Sequence, residues 1–295
     1  MIHKSGFVSI VGKANVGKST LMNSILDKKL SITTYKPQTT RHNIIGILNK
    51  PGYQMIFCDT PGFIEHGQNI LQNRMIQYVK KSLKDVDIIL LITEIGKFQK
   101  KSYLFNIIKE KNIPIIIVIN KIDKIVSIKE KNIYNKTIKY WKNILDKTDI
   151  ISISALKDIN KNILIEKIQK LLPEHPPFYP KEFLTDKPKR FFVNEIIREK
   201  IFLLYKKEIP YITEVETEIF NEKKNCIYIT SFIFVERNSQ KNILIGKLGK
   251  SIYRLKYYSE NSIKNFFDKE IKLNIYIKIF KKWYNDYKRL KMFGY

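Results

Sequence analysis

The sequence predicts an α/β protein, a mostly parallel six-stranded sheet with helices on both faces, followed by a smaller α+β domain. Three observations predict it. A strand, a glycine-containing loop and a helix follow one another from Phe7 to beyond Ser19. Two apolar runs without alternation, Asp87–Thr93 and Ile113–Ile119, have the pattern of strands covered on both faces. A proline cluster at Leu172–Pro180 then precedes two runs of β-branched and aromatic residues, Ile212–Phe220 and Cys226–Val235.

The loop sets the chemistry of the first half. Gly12-Lys13-Ala14-Asn15-Val16-Gly17-Lys18-Ser19-Thr20 fits G-x-x-x-x-G-K-S/T and lies between an apolar strand and a helical pattern. A triphosphate needs many donors at short range, which backbone N–H groups and a helix N-terminus supply. Lys18 is expected at the β- and γ-phosphates and Ser19 on Mg²⁺. The segment Leu30–His42 is polar, lacks periodicity and reads as a long loop. Ile44–Leu48, the turn Pro51-Gly52 and Tyr53–Cys58 form an antiparallel hairpin. The hairpin delivers Asp59-Thr60-Pro61-Gly62, a D-x-x-G expected to complete the phosphate–Mg²⁺ site. Helical patterns follow at Asn69–Lys84 and Phe98–Lys111.

Asn120-Lys121-Ile122-Asp123 ends the next strand. A carboxylate there can accept both adjacent guanine donors, whereas adenine would leave it unpaired and desolvated. The strand Asp149–Ile153 leads into Ser154-Ala155-Leu156, where the Ala155 N–H is expected on the guanine O6. A helix over Asn160–Leu172 closes the unit. Each motif falls at the carboxyl end of a strand, where open α/β sheets bind ligands. The order resembles that of the Ras-like GTPases over Phe7–Leu172, which implies GTP and GDP as ligands, Mg²⁺ as cofactor and hydrolysis of GTP.

Phe63 follows the D-x-x-G where many small GTPases carry a water-orienting Gln, so slow intrinsic turnover is expected. Asn15 matches the subset of the family in which that residue ligates a monovalent cation, which implies K⁺. Thr39 or Thr40 completes the Mg²⁺ shell, and the sequence does not choose between them. Arg41 has two readings, an internal charge-stabilising arginine and a solvated residue of the same loop, of which the second is favoured.

A chain of 295 residues accommodates two cores, and 44% hydrophobic residues fits a folded protein. No run approaches the ~18 apolar residues of a membrane span, and the N-terminus leads straight into a strand, so a cytoplasmic protein is expected. Cys58 and Cys226 suggest neither disulfide nor metal site, and His3, His42, His66 and His175 read as surface or loop residues. A formal charge of +26 points to a polyanion, nucleic acid first and an acidic membrane surface second. Lysine is abundant throughout, so charge by itself supports RNA only weakly.

The expected organisation is a nucleotide-binding domain over residues 1–172, a proline-rich linker over 173–190 and an RNA-binding domain over 191–295. In the last, a helix over Arg190–Lys206 and two strands precede Ile245-Gly246-Lys247-Leu248-Gly249-Lys250. G-x-x-G between helices is the backbone clamp of a KH domain, with lysines directed at phosphates. A helix over Ile252–Asp268 and a strand over Leu273–Phe280 complete the type II KH order.

Lys36–His42, Leu184-Thr185-Asp186, Arg190–Val193, Glu195–Lys200, Ser239-Gln240-Lys241 and the ending Leu290–Tyr295 resemble the Era family of bacterial GTPases. The resemblance covers nearly the whole chain. It implies a monomeric switch that binds the single-stranded 3′ end of small-subunit ribosomal RNA and assists 30S maturation. A peripheral GTPase at the inner membrane and a constitutive RNA binder with a structural nucleotide site are the alternatives. The chain departs from the family at Leu248 and at Lys256-Tyr257-Tyr258, where a later glycine is usual.

Overall fold

The computed structural model describes residues 3–98, 106–108, 112–145 and 148–295. Packing divides them into two units. One consists of Ile32–Thr39, Gln68–Arg74 and Lys187–Tyr295, and the rest form the other.

The larger unit is the expected six-stranded sheet, in the order β2-β3-β1-β4-β5-β6. Its strands are β1 (Lys4–Val11), β2 (Ile44–Lys50), β3 (Tyr53–Asp59), β4 (Ile88–Glu94), β5 (Ile115–Asn120) and β6 (Asp149–Ser152). Only β2 and β3 pair antiparallel, as the Pro51-Gly52 turn dictates; every other pairing is parallel. The apolar runs behave as their composition requires. Ile88 to Ile92 and Ile116 to Ile119 are buried without alternation. Helices α1 (Lys18–Leu26), α2 (Ile70–Ser82), α3 (Ile128–Ile144) and α4 (Lys161–Leu171) and a 3-10 turn at Ile122–Lys124 belong to this half of the chain.

Helix α3 is not anticipated by the sequence reading. Only Thr137 and Trp141 of its residues are buried, so its hydrophobic stripe is narrow. Its start is set instead by a capping box, in which Ser127 and Glu130 satisfy each other's backbone N–H groups. The helix expected over Phe98–Lys111 falls mostly outside the described residues.

The segment after α4 lies along the sheet unit. His175 donates its N–H to the His3 carbonyl, and Ile47 donates to the carbonyl of Leu184. The Gln54 side chain accepts from Phe178 N and Tyr179 N at 2.8 and 3.0 Å. Residues up to Asp186 cluster with the sheet.

The smaller unit contains α5 (Lys189–Leu204), β7 (Glu214–Glu222), β8 (Cys226–Val235), α6 (Asn238–Ile245), α7 (Lys250–Phe267) and β9 (Glu270–Ile279). This is the expected helix–strand–strand–helix–helix–strand order. The sheet runs β7-β8-β9, antiparallel then parallel. Ile227, Ile229, Ile233 and Val235 of β8 join Ile197 and Ile201 of α5 and Leu255 and Ile263 of α7 in one core. A short helix, α8 (Tyr287–Met292), ends the chain.

Candidate nucleotide site and nucleic-acid clamp

The end of β1 turns through Gly12 into the phosphate loop, and Gly17 caps α1 with no side chain of its own. The N–H groups of the first helical turn are thus left for an anion. Lys18 folds back over the loop. Its ammonium donates to the carbonyls of Gly12 at 3.1 Å and Lys13 at 2.9 Å. Only 6% of Lys18 is exposed. Burial pulls its pKa down to about 8, against an opposing pull from the Asp59 carboxylate.

The D-x-x-G closes on this loop from β3. Ser19 Oγ donates to Asp59 Oδ2 at 2.6 Å and lies 2.9 Å from Thr40 Oγ1. Thr60 Oγ1 anchors the turn on the Ile10 carbonyl at 2.8 Å. At Gly62 a Cβ would lie 2.8 Å from Ala14 Cα, so the two loops meet only because this position has no side chain. Phe63 donates its N–H to the Gly12 carbonyl at 3.1 Å and buries its ring in the core with Val79 and Leu83. The ring has no route to a water molecule at the site.

The two candidate threonines point in different directions. Thr40 reaches Ser19, whereas the Thr39 hydroxyl donates to the Lys36 carbonyl at 2.8 Å and lies 2.6 Å from Thr34 Oγ1. Arg41 is not solvated as expected; it is 2% exposed, and His42 is buried beside it in sequence. Among the described residues no cluster of three His, Cys, Asp or Glu side chains could hold a metal. The oxygens of Ser19, Thr40 and Asp59 are instead the hard, sparse donor set suited to Mg²⁺, which takes one or two carboxylates and completes its shell from phosphate and water.

The base-side motifs also converge. Asn120 Nδ2 donates to the Val16 carbonyl at 2.9 Å, tying β5 to the phosphate loop. Lys121 Nζ donates to the Asn15 carbonyl at 2.6 Å and pairs with Glu94. Ser154 Oγ donates to Asp123 Oδ1 at 2.5 Å, which orients the carboxylate. The Ala155 N–H, expected on a guanine oxygen, donates here to Asn120 Oδ1 at 2.9 Å. It braces the N-K-x-D loop, while Leu156 stands exposed beyond it.

Within the smaller unit the segment Ile32–Thr39 is fastened to α5. Lys36 Nζ donates to the carbonyls of Phe202, at 2.7 Å, and of Tyr205. Thr33 N donates to Glu199 Oε1 at 3.1 Å. Arg198, fully buried, donates to the Thr39 carbonyl at 2.7 Å and to both Glu195 oxygens at 2.8 Å. Burial would push the Arg198 guanidinium down, but the Glu195 carboxylate holds its pKa above the ordinary arginine value. Sequence reasoning assigned Glu195, Arg198 and Glu199 no role of their own. The signal was present in two acids and an arginine, Glu195, Arg198 and Glu199, spaced three and one apart among the apolar residues Ile196, Ile197, Ile201 and Phe202.

The G-x-x-G forms a tight turn between α6 and α7. A Cβ on Gly246, at φ 71°, would lie 2.2 Å from Ser251 Oγ, so the helices approach only through glycine. Leu248 occupies the left-handed region at φ 52° and is 87% exposed. That conformation costs a non-glycine residue about 1 kcal/mol. Lys247 and Lys250 flank it, and Ile245 is half-buried before it.

Two family models match the chain, one described as a 50S ribosome-binding GTPase over residues 7–121 and one as a KH domain over residues 208–284. The chain is 42% identical to the GTPase Era of Clostridium kluyveri, covering 99% of each protein. It is 40% identical to GTPase Era of Thermoanaerobacter sp., covering 100% of this chain and 97% of the relative. Among solved structures it is similar to an Aquifex aeolicus Era variant bound to GDP and AlF4⁻, with TM-score 0.92, 34% identity and 99% of each chain covered. An Era complex with MgGDPNP and nucleotides 1506–1542 of 16S ribosomal RNA gives TM-score 0.92 and 35% identity over 99% of each chain. Similarity of this level along the whole length, with both domains in place, shows that the chain belongs to the Era family of GTPases.

Proposed function

We propose that this protein is a GTP-binding and GTP-hydrolysing switch that binds the 3′ end of small-subunit ribosomal RNA and assists 30S maturation. The observation that carries the reading is the convergence of Lys18, Ser19, Thr40 and Asp59, with Ser19 Oγ within 2.9 Å of both oxygen partners. Ser19, Thr40 and Asp59 would hold Mg²⁺. When bound, the ion neutralises charge between the β- and γ-phosphates. Lys18 carries the cation to the same phosphates, and Asp123, oriented by Ser154, selects guanine.

The switch reading follows from two neighbouring residues. Thr40 meets Ser19, and the preceding carbonyl, that of Thr39, is held by Arg198 of α5. The lysine-flanked Gly246–Gly249 turn supplies the RNA clamp. Among the described residues no helix is long and apolar enough to cross a membrane.

The test is the affinity of the full chain for a synthetic RNA of the small-subunit 3′ end, with a non-hydrolysable GTP analogue and with GDP. At least tenfold tighter binding with the analogue is expected. Equal affinities would overturn the switch, because a switch requires differential binding.

A further inference from the structure

The sheet of the smaller unit packs α5 and α7 against one face. Along β8, Ile227, Ile229, Ile233 and Val235 point into the core, so Tyr228, Thr230, Phe232 and Phe234 point the other way. One end of this outer face is closed by the chain's own C-terminal segment. Phe234 is buried there, its ring 4.7 Å from Phe280 and 5.0 Å from Phe293. The other end is open, with Tyr276 54% and Tyr228 36% exposed.

The open end combines rings with cations. Phe232 and Tyr276 are partners across the β8–β9 pairing, with centroids 5.7 Å apart. Lys278 Nζ stands 3.4 Å from the Phe232 centroid. Lys223 and Lys272 hold their ammonium groups 5.2 and 5.3 Å from the centre of Tyr228. The third strand differs. Glu216, paired with Phe232, and Glu218 belong to β7, whereas Lys272 and Lys278 belong to β9 and Lys223 to the turn before β8. A cleft of about 310 Å³ rounds the edge of β9, between Lys256 and Glu260 of α7 and Tyr228, Lys272 and Asn274 of the sheet. It connects the helix that begins at the clamp with the outer face.

We propose that the outer face of this sheet is a second RNA-binding surface, which receives the single strand after it has passed the Gly246–Gly249 clamp and rounded β9. Tyr228 and Tyr276 stack on bases, and Lys223, Lys272 and Lys278 move from the rings to the phosphates. The chemistry favours a single-stranded nucleic acid over an acidic peptide. Flat rings spaced along a strand match bases, and lysines already seated on rings need only small movements to meet a backbone. The proposal rests on the RNA-binding reading of the clamp.

The experiment compares two RNAs on the full chain in the GTP-analogue state. One of about four nucleotides fills only a KH clamp, and one of about twelve can also reach the sheet. The variants are Tyr228→Ala/Tyr276→Ala, its Tyr→Phe counterpart and Lys272→Gln/Lys278→Gln, each checked for folding by circular dichroism. Stacking on each tyrosine is expected to contribute about tenfold, within the range for base–aromatic contacts. The Tyr→Ala pair should therefore weaken the long RNA by about a hundredfold and leave the short one unchanged, while the Tyr→Phe pair binds like the parent. The Lys→Gln pair should lower the salt dependence of long-RNA binding by about 1.4 in log–log slope, from about 0.7 per phosphate contact. If long-RNA affinity is unchanged by the Tyr→Ala pair, the sheet face is not an RNA surface and the proposal is overturned. Competition by polyglutamate at equal charge concentration, as strong as by RNA, would overturn it in favour of an acidic protein partner. If neither RNA binds the parent protein, the clamp reading itself fails, which the short RNA reports separately.

Discussion

Lys18 carries a positive charge that burial disfavours and the Asp59 carboxylate only partly offsets. Burial takes its pKa from the ordinary 10.5 to about 8. At about 1.4 kcal/mol per pKa unit, holding that charge costs the nucleotide-free fold about 3 kcal/mol. The sign follows from proton counting. Below pH 8 both folded and unfolded chains carry the proton and the cost is present in full. Between pH 8 and 10.5 the unfolded chain binds more protons, so this cost is relieved as pH rises. The perturbation is Lys18→Met, which removes the titration and keeps the length of the side chain. Urea unfolding of nucleotide-free protein should find the variant more stable than the parent at pH 7 by about 3 kcal/mol. The gap should narrow by about 2 kcal/mol by pH 9.5. With GTP the order reverses, because phosphate favours the ammonium, and parent affinity for GTP should fall as pH rises past about 8. A stability gap that does not change with pH would refute the reasoning.

Four further outcomes follow from the same geometry. Thr40→Ala should weaken Mg²⁺-dependent GTP binding at least ~10-fold by isothermal titration, whereas Thr39→Ala, whose hydroxyl faces Lys36, should cost no more than ~2-fold. Arg198→Met strands Glu195 and should cost ~3–5 kcal/mol in urea unfolding, with most of it recovered in Glu195→Leu/Arg198→Met. Asp123→Asn exchanges one acceptor for a donor and should lower guanine affinity at least ~100-fold while raising that for xanthine nucleotides, measured by competition. Turnover should be faster in K⁺ than in equimolar Na⁺ through Asn15; equal rates of phosphate release would remove the monovalent cation.

Most of this architecture is legible in the sequence because its signals are local. Unbroken apolar runs announce β4 and β5, Pro51-Gly52 announces the hairpin, and the phosphate loop lies where a strand must hand over to a helix. Helix α3 escapes because Lys and Asn fill its surface and only Thr137 and Trp141 are buried, leaving the Ser127/Glu130 box as the one readable sign. The choice between Thr39 and Thr40 escapes for a different reason. The Leu30–His42 loop has no period, and the Thr39 hydroxyl is taken up by Lys36 and Thr34 within that loop, which no sequence pattern announces. Burial of Arg41 and His42 is likewise a tertiary fact, since arginine is ordinarily exposed and histidine only intermediate in burial. The bond between the Ala155 N–H and Asn120 could not be read from either motif alone.

The central claim is that guanine nucleotide gates recognition of RNA. Crosslinking of the full chain to small-subunit RNA, with sequencing of the bound fragments, tests it most directly when run in parallel with GTP analogue and with GDP near physiological salt. A single short site at the RNA 3′ end, strong with the analogue and weak with GDP, is the predicted result. Diffuse crosslinks, equal in the two states and lost as salt rises, would contradict it and leave only phosphate attraction by a lysine-rich surface.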